Sequence, residues 1–216
     1  MNGQEKYKMV KNQIDLKKRL ISEGLKIVQD KGMKNISLRQ IAEKCGVTHS
    51  TPYRHFKDKN TYLAALVEQI SIIFGTTMAQ KVTDNMSGNA MLLQMGINFV
   101  NFAQDFPKFF DVLFLGDYVV QTKVTGHEII SDKTLPGFEE FKYAVAKLSK
   151  ENNLDVDNDL QEIQLWSFII GFALIVGKKN VVEVDSKWIS KVIDEMISIY
   201  INGDKTLGEG RNEGNH

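Results

Sequence analysis

The sequence predicts an all-α protein of about nine helices, in which a small N-terminal domain precedes a larger helical domain. The chain of 216 residues contains only 3 prolines, which is few for a loop-rich or all-β protein. Apolar residues recur at three- and four-residue steps through most of the chain, as they do along one face of a helix. Hydrophobic residues make up 43% and charged residues 25%, so wholesale disorder is excluded.

The composition also indicates where the protein works. The single cysteine, Cys45, cannot form a disulfide within the chain or build a thiolate metal site. The N-terminus is polar and lacks the apolar core of a signal peptide. The longest apolar stretch, residues 165–177, is too short to span a bilayer. We therefore expect a cytoplasmic protein that makes no membrane contact.

Charge is distributed unevenly, although the chain as a whole is neutral. Residues 1–60 contain 14 lysines and arginines against 6 aspartates and glutamates, whereas the rest of the chain contains 13 against 21. A basic N-terminal quarter on an acidic body is typical of a nucleic-acid-binding domain joined to a regulatory domain. The charge count leaves open the alternative of a fluctuation in solvated surface charge.

The N-terminal quarter predicts three helices in succession, of which the first covers 12–31 and ends at Gly32. The second begins at Ser37, whose hydroxyl caps the helix, and ends at Gly46, where a left-handed backbone is least costly. Two short helices joined by so tight a turn form a helix-turn-helix, and Ala42 is small enough for their close packing.

The third predicted helix covers 48–56 and opens at Thr48. Pro52 removes one hydrogen bond near its start, where the loss is tolerated. The face opposite Pro52 and Phe56 carries no aliphatic side chain and consists of Thr48, His49, Ser50, Thr51, Tyr53, Arg54 and His55. Hydroxyl, imidazole and guanidinium groups can contact phosphates and base edges.

The rest of the chain predicts one helix capped by Asp58 and five more blocks, over 89–104, 107–115, 135–152, 157–178 and 186–202. The pattern lapses over 116–134, which indicates a long loop or a short irregular helix. Residues 203–216 contain four glycines and few apolar groups, so we expect a disordered tail. The expected domains are 1–58 and 59–202, followed by that tail.

The helix-turn-helix segment, over roughly residues 12–65, resembles the DNA-binding domain of the tetracycline-repressor (TetR) family. The family pattern is matched in order by Ile41-Ala42, Gly46-Val47-Thr48, Thr51-Pro52-Tyr53, His55-Phe56, Lys59 and Leu63. Asn60 departs from it where an acidic residue is usual, as do Pro52 and Cys45 at packing positions. The resemblance implies a DNA-binding head that docks in the major groove.

The resemblance also implies which side chains contact DNA. The implied phosphate contacts are Ser37, Thr48, Tyr53, His55 and Lys59. The implied base-edge contacts are Arg39, His49, Ser50 and Thr51. Arg54 is open between base, phosphate and solvent. Four of these residues also have a structural alternative. Tyr53 could be a half-buried aromatic, His55 a helix cap and Lys59 a solvated lysine, and His49 could be a surface residue without a contact.

The larger domain is rich in aromatic residues, with 6 of the 12 phenylalanines between 99 and 114. In the family that the chain resembles, such residues commonly line an apolar effector cavity. The candidates are Met95, Phe99, Phe102, Phe110, Phe114, Trp166 and Phe168. A well-packed core is the alternative for each of them. The stretch 166–171 is similar to a C-terminal subtype with a Trp-x-x-x-His-Gly signature, although Ile170 stands in place of the histidine.

The last two helical blocks are apolar on more than one face and need partners on two sides. The resemblance suggests a second subunit, and the interface candidates are Phe172, Ile175, Trp188, Val192 and Met196. Two heads held about 34–36 Å apart can read an inverted repeat in successive major grooves.

These observations predict a ligand-responsive transcriptional repressor that binds an operator as a homodimer and is released by a small apolar effector. The sequence contains no phosphate-binding loop, nucleophile elbow or pair of histidines at metal spacing, so we expect no enzyme activity, no cofactor and no metal. The alternative is a helical protein-interaction module that does not bind DNA.

Overall fold

The computed structural model describes the backbone of residues 3–116, 122–125, 128–131, 135–154, 158–177 and 184–213, and side chains within 14–116, 135–154, 160–177 and 184–203. Its α-helices are α1 Gly3–Lys31, α2 Leu38–Lys44, α3 Lys59–Met78, α4 Gly88–Asp105, α5 Pro107–Phe110, α6 Phe138–Asn152, α7 Asn158–Val176 and α8 Ser186–Glu213. Shorter elements are the 3₁₀ helices Met33–Asn35 and Pro52–Arg54, the π-helical turn Asp111–Leu115, and the antiparallel strands β1 Thr122–Thr125 and β2 Glu128–Ser131. The predicted all-α class is confirmed, and one short hairpin departs from it within these ranges.

The chain divides into two compact units. The first consists of Met1–Ser71 and Lys108–Val119, and the second of Ile72–Pro107 and Val120–His216. The predicted first domain, 1–58, lies within the first unit.

The core of the first unit forms on the apolar face of α1, where Leu20 and Val28 are fully buried. Tyr62 of α3 is also fully buried, and its hydroxyl donates to the Leu20 carbonyl oxygen at 2.7 Å. Burial raises the pKa of Tyr62 well above its ordinary value. Gly24 permits this approach, because a Cβ on Gly24 would stand 2.1 Å from the Tyr62 hydroxyl oxygen.

The segment predicted as a third helix, 48–56, is not a regular α-helix, so that prediction was wrong in detail. Its backbone amides donate mainly to carbonyl groups three residues earlier, as Thr51 does to Thr48 at 2.9 Å, and Pro52–Arg54 is a 3₁₀ helix. Pro52 is the physical reason, since it has no N–H to donate to the Thr48 carbonyl. The α-helical ladder therefore lacks its first bond, and the tighter turns replace it.

The second unit is built around α4, which packs against α6, α7 and α8. Phe99 and Phe102 of α4 are buried in its core. The first turn of α4 lies directly on α6, because a Cβ on Gly88 would stand 2.2 Å from the Leu148 amide nitrogen. The Gly88 amide donates to a carboxylate oxygen of Glu151 at 2.8 Å, so a hydrogen bond also holds the start of α4 against α6.

Two predictions for the second half of the chain need correction. The stretch 116–134, expected to be a loop or irregular helix, contains the hairpin of β1 and β2, in which Val124 pairs with Ile129. Strands of four residues are too short for a clear alternation of apolar and polar residues, although β-branched residues favour them.

The second correction concerns the expected disordered tail. α8 continues to Glu213, so residues 203–213 are helical, and residues 214–216 lie outside the described residues. Lengthening an existing helix adds a hydrogen bond per residue without a new nucleation step, which offsets the cost of the glycines.

By length and composition alone, α3 could cross a bilayer, and it is the one helix within the described ranges that passes this test. Its buried apolar residues are Tyr62, Leu63, Leu66, Ile70, Phe74 and Met78. They recur at steps of three and four and are covered by the protein itself, which is typical of a core helix. We therefore assign α3 to the protein core.

Candidate nucleic-acid interface and ligand cavity

A left-handed glycine builds the turn after α2. Gly46 has a φ of +68°, and its amide donates to the Glu43 carbonyl at 3.1 Å. The next amide, that of Val47, donates to the Ala42 carbonyl at 3.0 Å. This pair of bonds is the Schellman arrangement, which ends a helix and redirects the chain. It sets the position from which the segment 48–56 leaves α2.

Two buried side chains anchor the segment 48–56 to the first unit. Pro52 is buried, and Phe56 packs its ring edge-on against Tyr62 with 4.9 Å between the ring centroids. On the solvent side, the Thr48 hydroxyl hydrogen-bonds to the Thr51 hydroxyl at 2.8 Å. Because the apolar residues face inward, the polar side chains of the segment are left toward solvent.

All ten residues expected to contact DNA lie in the described part of the chain, and none of them is buried. Largely exposed are Ser37, Arg39, Thr48, His49, Ser50, Tyr53, Arg54 and Lys59, and partly exposed are Thr51 and His55. Ser37 is the cap of α2, where its hydroxyl oxygen accepts from the Gln40 amide at 3.5 Å. Lys59 is the first residue of α3.

Asp58 fixes the start of α3, immediately before Lys59. Its Oδ1 accepts from the Thr61 amide at 2.7 Å and from the Thr61 hydroxyl at 2.9 Å. These bonds, the backbone one first, hold the pKa of Asp58 below its ordinary value. A charged cap at this end also complements the helix dipole.

One carboxylate lies among the basic candidates. Glu43 Oε1 accepts from Arg39 Nε at 3.3 Å and from His49 Nε2 at 3.0 Å. The bond to Arg39, followed by that to His49, lowers the pKa of Glu43. Sequence reasoning did not select Glu43. Its spacing of four residues from Arg39 on one helix was a signal for the first bond, whereas the second depends on the turn at Gly46.

The second unit contains an apolar cavity of about 40 Å³. Its lining residues are Phe74, Met78, Leu92, Met95, Gly96, Phe99, Gly137, Phe141, Leu165, Trp166, Phe168, Ile169, Ile193, Met196 and Ile197. The Trp166 ring lies among other aromatic rings, with centroids 5.5 Å from Phe99, 5.2 Å from Phe138 and 5.4 Å from Phe141. All of the lining residues are apolar or glycine, so the cavity suits an apolar group.

Comparison with known sequences identifies the first unit. Residues 20–66 match the family model of bacterial regulatory proteins, tetR family. Residues 20–66 therefore form a DNA-binding domain of the tetR type. An HTH-type transcriptional regulator of Staphylococcus aureus strain USA300 is 31% identical over 75 residues, which are 35% of this chain and 40% of the relative. The match therefore spans less than half the length of that relative.

Solved structures share the fold of this chain over most of its length. A TetR-like transcriptional regulator from Rhodococcus sp. RHA1 has a TM-score of 0.59 at 15% identity, covering 87% of this chain and 96% of its own. AibR, solved with isovaleryl coenzyme A and operator DNA, has a TM-score of 0.59 at 13% identity, covering 84% and 97%. At these identities the likeness concerns the fold.

The structure divides the aromatic cluster that the TetR resemblance singled out. Four of the seven effector candidates line the cavity, namely Met95, Phe99, Trp166 and Phe168. The other three do not. Phe102 is buried against Phe74 with 5.1 Å between ring centroids, and Phe110 pairs with Phe114 at 4.8 Å within the first unit.

The interface candidates also fall into two groups. Phe172 is buried, with its ring centroid 5.8 Å from that of Trp188, and Met196 lines the cavity. Ile175 and Trp188 are 64% and 48% exposed, and Val192 is partly exposed. Ile199, which sequence reasoning missed, is 71% exposed on α8.

Most of the cavity wall was missed at the level of sequence. The missed residues are Phe74, Met78, Leu92, Gly96, Gly137, Phe141, Leu165, Ile169, Ile193 and Ile197. Helical spacing links those on a single helix, as it links Leu92 to Met95 and Phe99 on α4. No sequence signal links residues on different helices, because their meeting depends on packing.

Proposed function

We propose that this chain is a TetR-family, ligand-responsive transcriptional repressor of the cytoplasm, without enzymatic activity. As a homodimer it binds an inverted-repeat operator in the major groove, and a small apolar effector releases it. The observation that carries this proposal is the segment 48–56. Its polar side chains point to solvent because the Schellman turn directs its backbone and because Pro52 and Phe56 are buried on its opposite face.

The chemistry of this surface supports DNA as the partner. The hydroxyl group of Thr51 and the ammonium group of Lys59 can donate hydrogen bonds to phosphates and base edges. The excess of basic residues in 1–60 adds a sequence-independent attraction to a polyanion. The solved structure of AibR with operator DNA and isovaleryl coenzyme A supports both kinds of partner for this fold.

A homodimer is supported by the apolar surface of α7 and α8. Ile175, Trp188 and Ile199 are largely exposed in the single chain. Large apolar side chains exposed to water favour an apolar partner, and a second copy of the chain supplies one. Two copies also supply the two heads that an inverted repeat requires.

An apolar effector is supported by the wall of the cavity and by its size. About 40 Å³ holds two or three water molecules, so a ligand must enlarge the space. Met78, Met95 and Met196 can repack with little strain, since methionine side chains are unbranched and flexible. The effector lowers DNA affinity only if it binds the enlarged state more tightly than the operator-bound state.

Gel shifts over a range of salt concentrations test the DNA-binding part of the proposal. Wild-type protein should bind an arbitrary duplex weakly at low salt and lose affinity steeply as salt rises. Lys59→Ala should weaken binding to all sequences and reduce the slope of log affinity against log salt by about 1. Lys150→Ala removes an exposed lysine of α6 and serves as the matched control, which should change neither quantity.

Two results would contradict the assignment. A wild-type protein that binds no duplex at low salt would favour the protein-interaction module instead. A Lys59→Ala variant with wild-type affinity and slope would remove Lys59 from the set of phosphate contacts. Selection of bound genomic fragments by the purified protein then identifies the operator, and His49→Ala or Thr51→Ala should change base preference by roughly 1–3 kcal/mol.

A further inference from the structure

Glu43 is a negative charge on the surface proposed to meet DNA, and it touches two of the side chains proposed to read bases. A single oxygen of Glu43 accepts from Arg39 Nε at 3.3 Å and from His49 Nε2 at 3.0 Å. All three side chains are exposed, by 75% for Arg39, 54% for Glu43 and 53% for His49. Three charged or polar groups from two consecutive elements therefore converge at one point on the surface.

Backbone geometry produces this convergence. Arg39 and Glu43 lie one helical turn apart on α2, so their side chains share a face. His49 follows the left-handed turn at Gly46, which brings the chain back beside the last turn of α2. The cluster therefore joins the two parts of the helix-turn-helix, and its contacts depend on how these two parts are placed relative to each other.

The bonds to Glu43 determine which atoms of Arg39 and His49 remain available to contact bases. Arg39 uses Nε toward the carboxylate, so the Nη edge of the guanidinium remains for the paired acceptors O6 and N7 of guanine. His49 faces the carboxylate with Nε2, so Nδ1 is the ring atom left for a base edge, where it is an acceptor when the ring is neutral. An acceptor in the major groove pairs with the amino group of adenine or cytosine.

Fold stability does not account for this arrangement. Ion pairs this exposed add little to stability, because water and salt screen them and the side chains lose freedom. A carboxylate facing phosphates also weakens binding to any DNA, whatever its sequence. A group that lowers general affinity while orienting two base readers raises the ratio of specific to non-specific binding.

We propose that Glu43 is a positioning residue for operator specificity: it holds Arg39 and His49 in their base-reading orientations and disfavours DNA that does not engage them. This inference rests on the proposed function, since it needs a sequence-specific DNA complex. Glu43 itself need not touch a base.

The test begins with a pool of random duplexes, from which the wild-type protein selects its preferred sequence. Affinities are then measured for that duplex and for a scrambled duplex of equal composition, at one salt concentration. Glu43→Ala should bind the scrambled duplex more tightly and the selected duplex no better, so that the specificity ratio falls by roughly tenfold or more. Glu43→Gln, which loses the charge and keeps the shape, should show a smaller fall.

Glu68→Ala is the matched control, because it removes an exposed carboxylate from α3 in the same unit. It should change both affinities by a similar factor and leave the ratio as in the wild type. The same pattern in Glu43→Ala would overturn the proposal and make Glu43 an ordinary solvated carboxylate.

A double-mutant comparison separates positioning from direct base contact. In the Arg39→Ala/His49→Ala background, Glu43→Ala should no longer alter base preference, because the side chains through which it acts are gone. A persistent effect would mean that Glu43 reads a base itself, which overturns the positioning role.

If the wild-type protein selects no sequence from the pool, the proposed function fails, and this role with it. If the wild type selects a sequence and the ratio is unchanged in Glu43→Ala, only the role of Glu43 fails.

Discussion

Single residues decide where the backbone of the first unit ends one element and begins the next. Gly46 adopts a left-handed φ that lets α2 end in two hydrogen bonds, and Pro52 withholds a donor from the segment that follows. Asp58 then satisfies the amide and hydroxyl of Thr61 and starts α3. Each of these effects is confined to one turn of chain, so each can be tested by one substitution.

Asp58→Ala should lower Tm by about 2–4 °C, because a free amide at the start of α3 loses its acceptor. The folded-state pKa of Asp58 is lowered from an ordinary 3.8, so its contribution is present above about that pH and is lost as pH falls through the lower folded value. Thermal unfolding followed by circular dichroism between pH 2 and 7 measures both effects, with a buffer series of constant ionic strength.

Asp58→Asn is the control for this prediction, since asparagine caps a helix without titrating in this range. It should keep most of the stability at neutral pH and lose less of it in acid than the wild type. Equal loss of stability in acid in the two proteins would show that other carboxylates determine the stability at low pH.

At the scale of elements, glycines determine how closely the helices can approach each other. Gly88 brings the first turn of α4 onto the backbone of α6, where no rotamer change can make room for a Cβ. In the second half of α8, by contrast, none of the described residues lies within 4 Å of a Cβ built on Gly203. The same substitution should therefore have opposite effects at the two sites.

Gly88→Ala should destabilise the protein by about 1–3 kcal/mol, since the backbones of α4 and α6 must separate. Gly203→Ala should stabilise it by up to about 1 kcal/mol, because alanine favours the helix and meets no neighbour. Urea unfolding of both variants measures the two free energies. A neutral Gly203→Ala would argue that α8 contributes nothing beyond residue 202.

At the scale of the whole molecule, the excess of basic residues and the two most exposed aliphatic side chains among the described residues, Ile199 and Ile175, lie in different parts of the chain. The excess of basic residues lies in 1–60, whereas the largely exposed Ile175, Trp188 and Ile199 belong to the second unit. A protein with this distribution has one region suited to a polyanion and another suited to an apolar partner.

Ile199→Asp should convert a dimer to a monomer and weaken operator binding, because a charge would be buried at the interface between copies. Sedimentation velocity measures the mass, and gel shifts measure the affinity. Ile72→Asp places the same charge on α3, where the isoleucine is 48% exposed, and should leave the dimer intact. A wild-type protein that is monomeric at micromolar concentration would contradict the homodimer.

The cavity should accept a neutral aromatic molecule in preference to its anion, because its walls offer no partner for a charge. In Trp188→Phe the fluorescence of Trp166 reports on the cavity alone, since the chain has 2 tryptophans. 1-Naphthol should quench this emission and 1-naphthoate should not. Met95→Ala enlarges the space and should tighten 1-naphthol binding several-fold. Equal binding of the two probes would contradict an apolar effector site.

The sequence by itself determined the features that depend on short-range chemistry. The cap at Ser37, the left-handed turn at Gly46 and the periodic helices were readable because each depends on a few neighbouring residues. The family pattern over 41–63 was readable for the same reason, since the helix-turn-helix is one continuous stretch. The effect of Pro52 was only partly predicted, because one missing donor changed the hydrogen-bond pattern of the whole segment.

The tertiary structure alone decided which distant side chains meet. Whether Phe99 or Phe102 faces the cavity depends on the rotation of α4 against its neighbours, and both have the same side chain. The bond between Glu43 and His49 depends on the path of the chain through Gly46. Such contacts join residues whose separation in sequence carries no information about their separation in space, because the packing of the helices sets it.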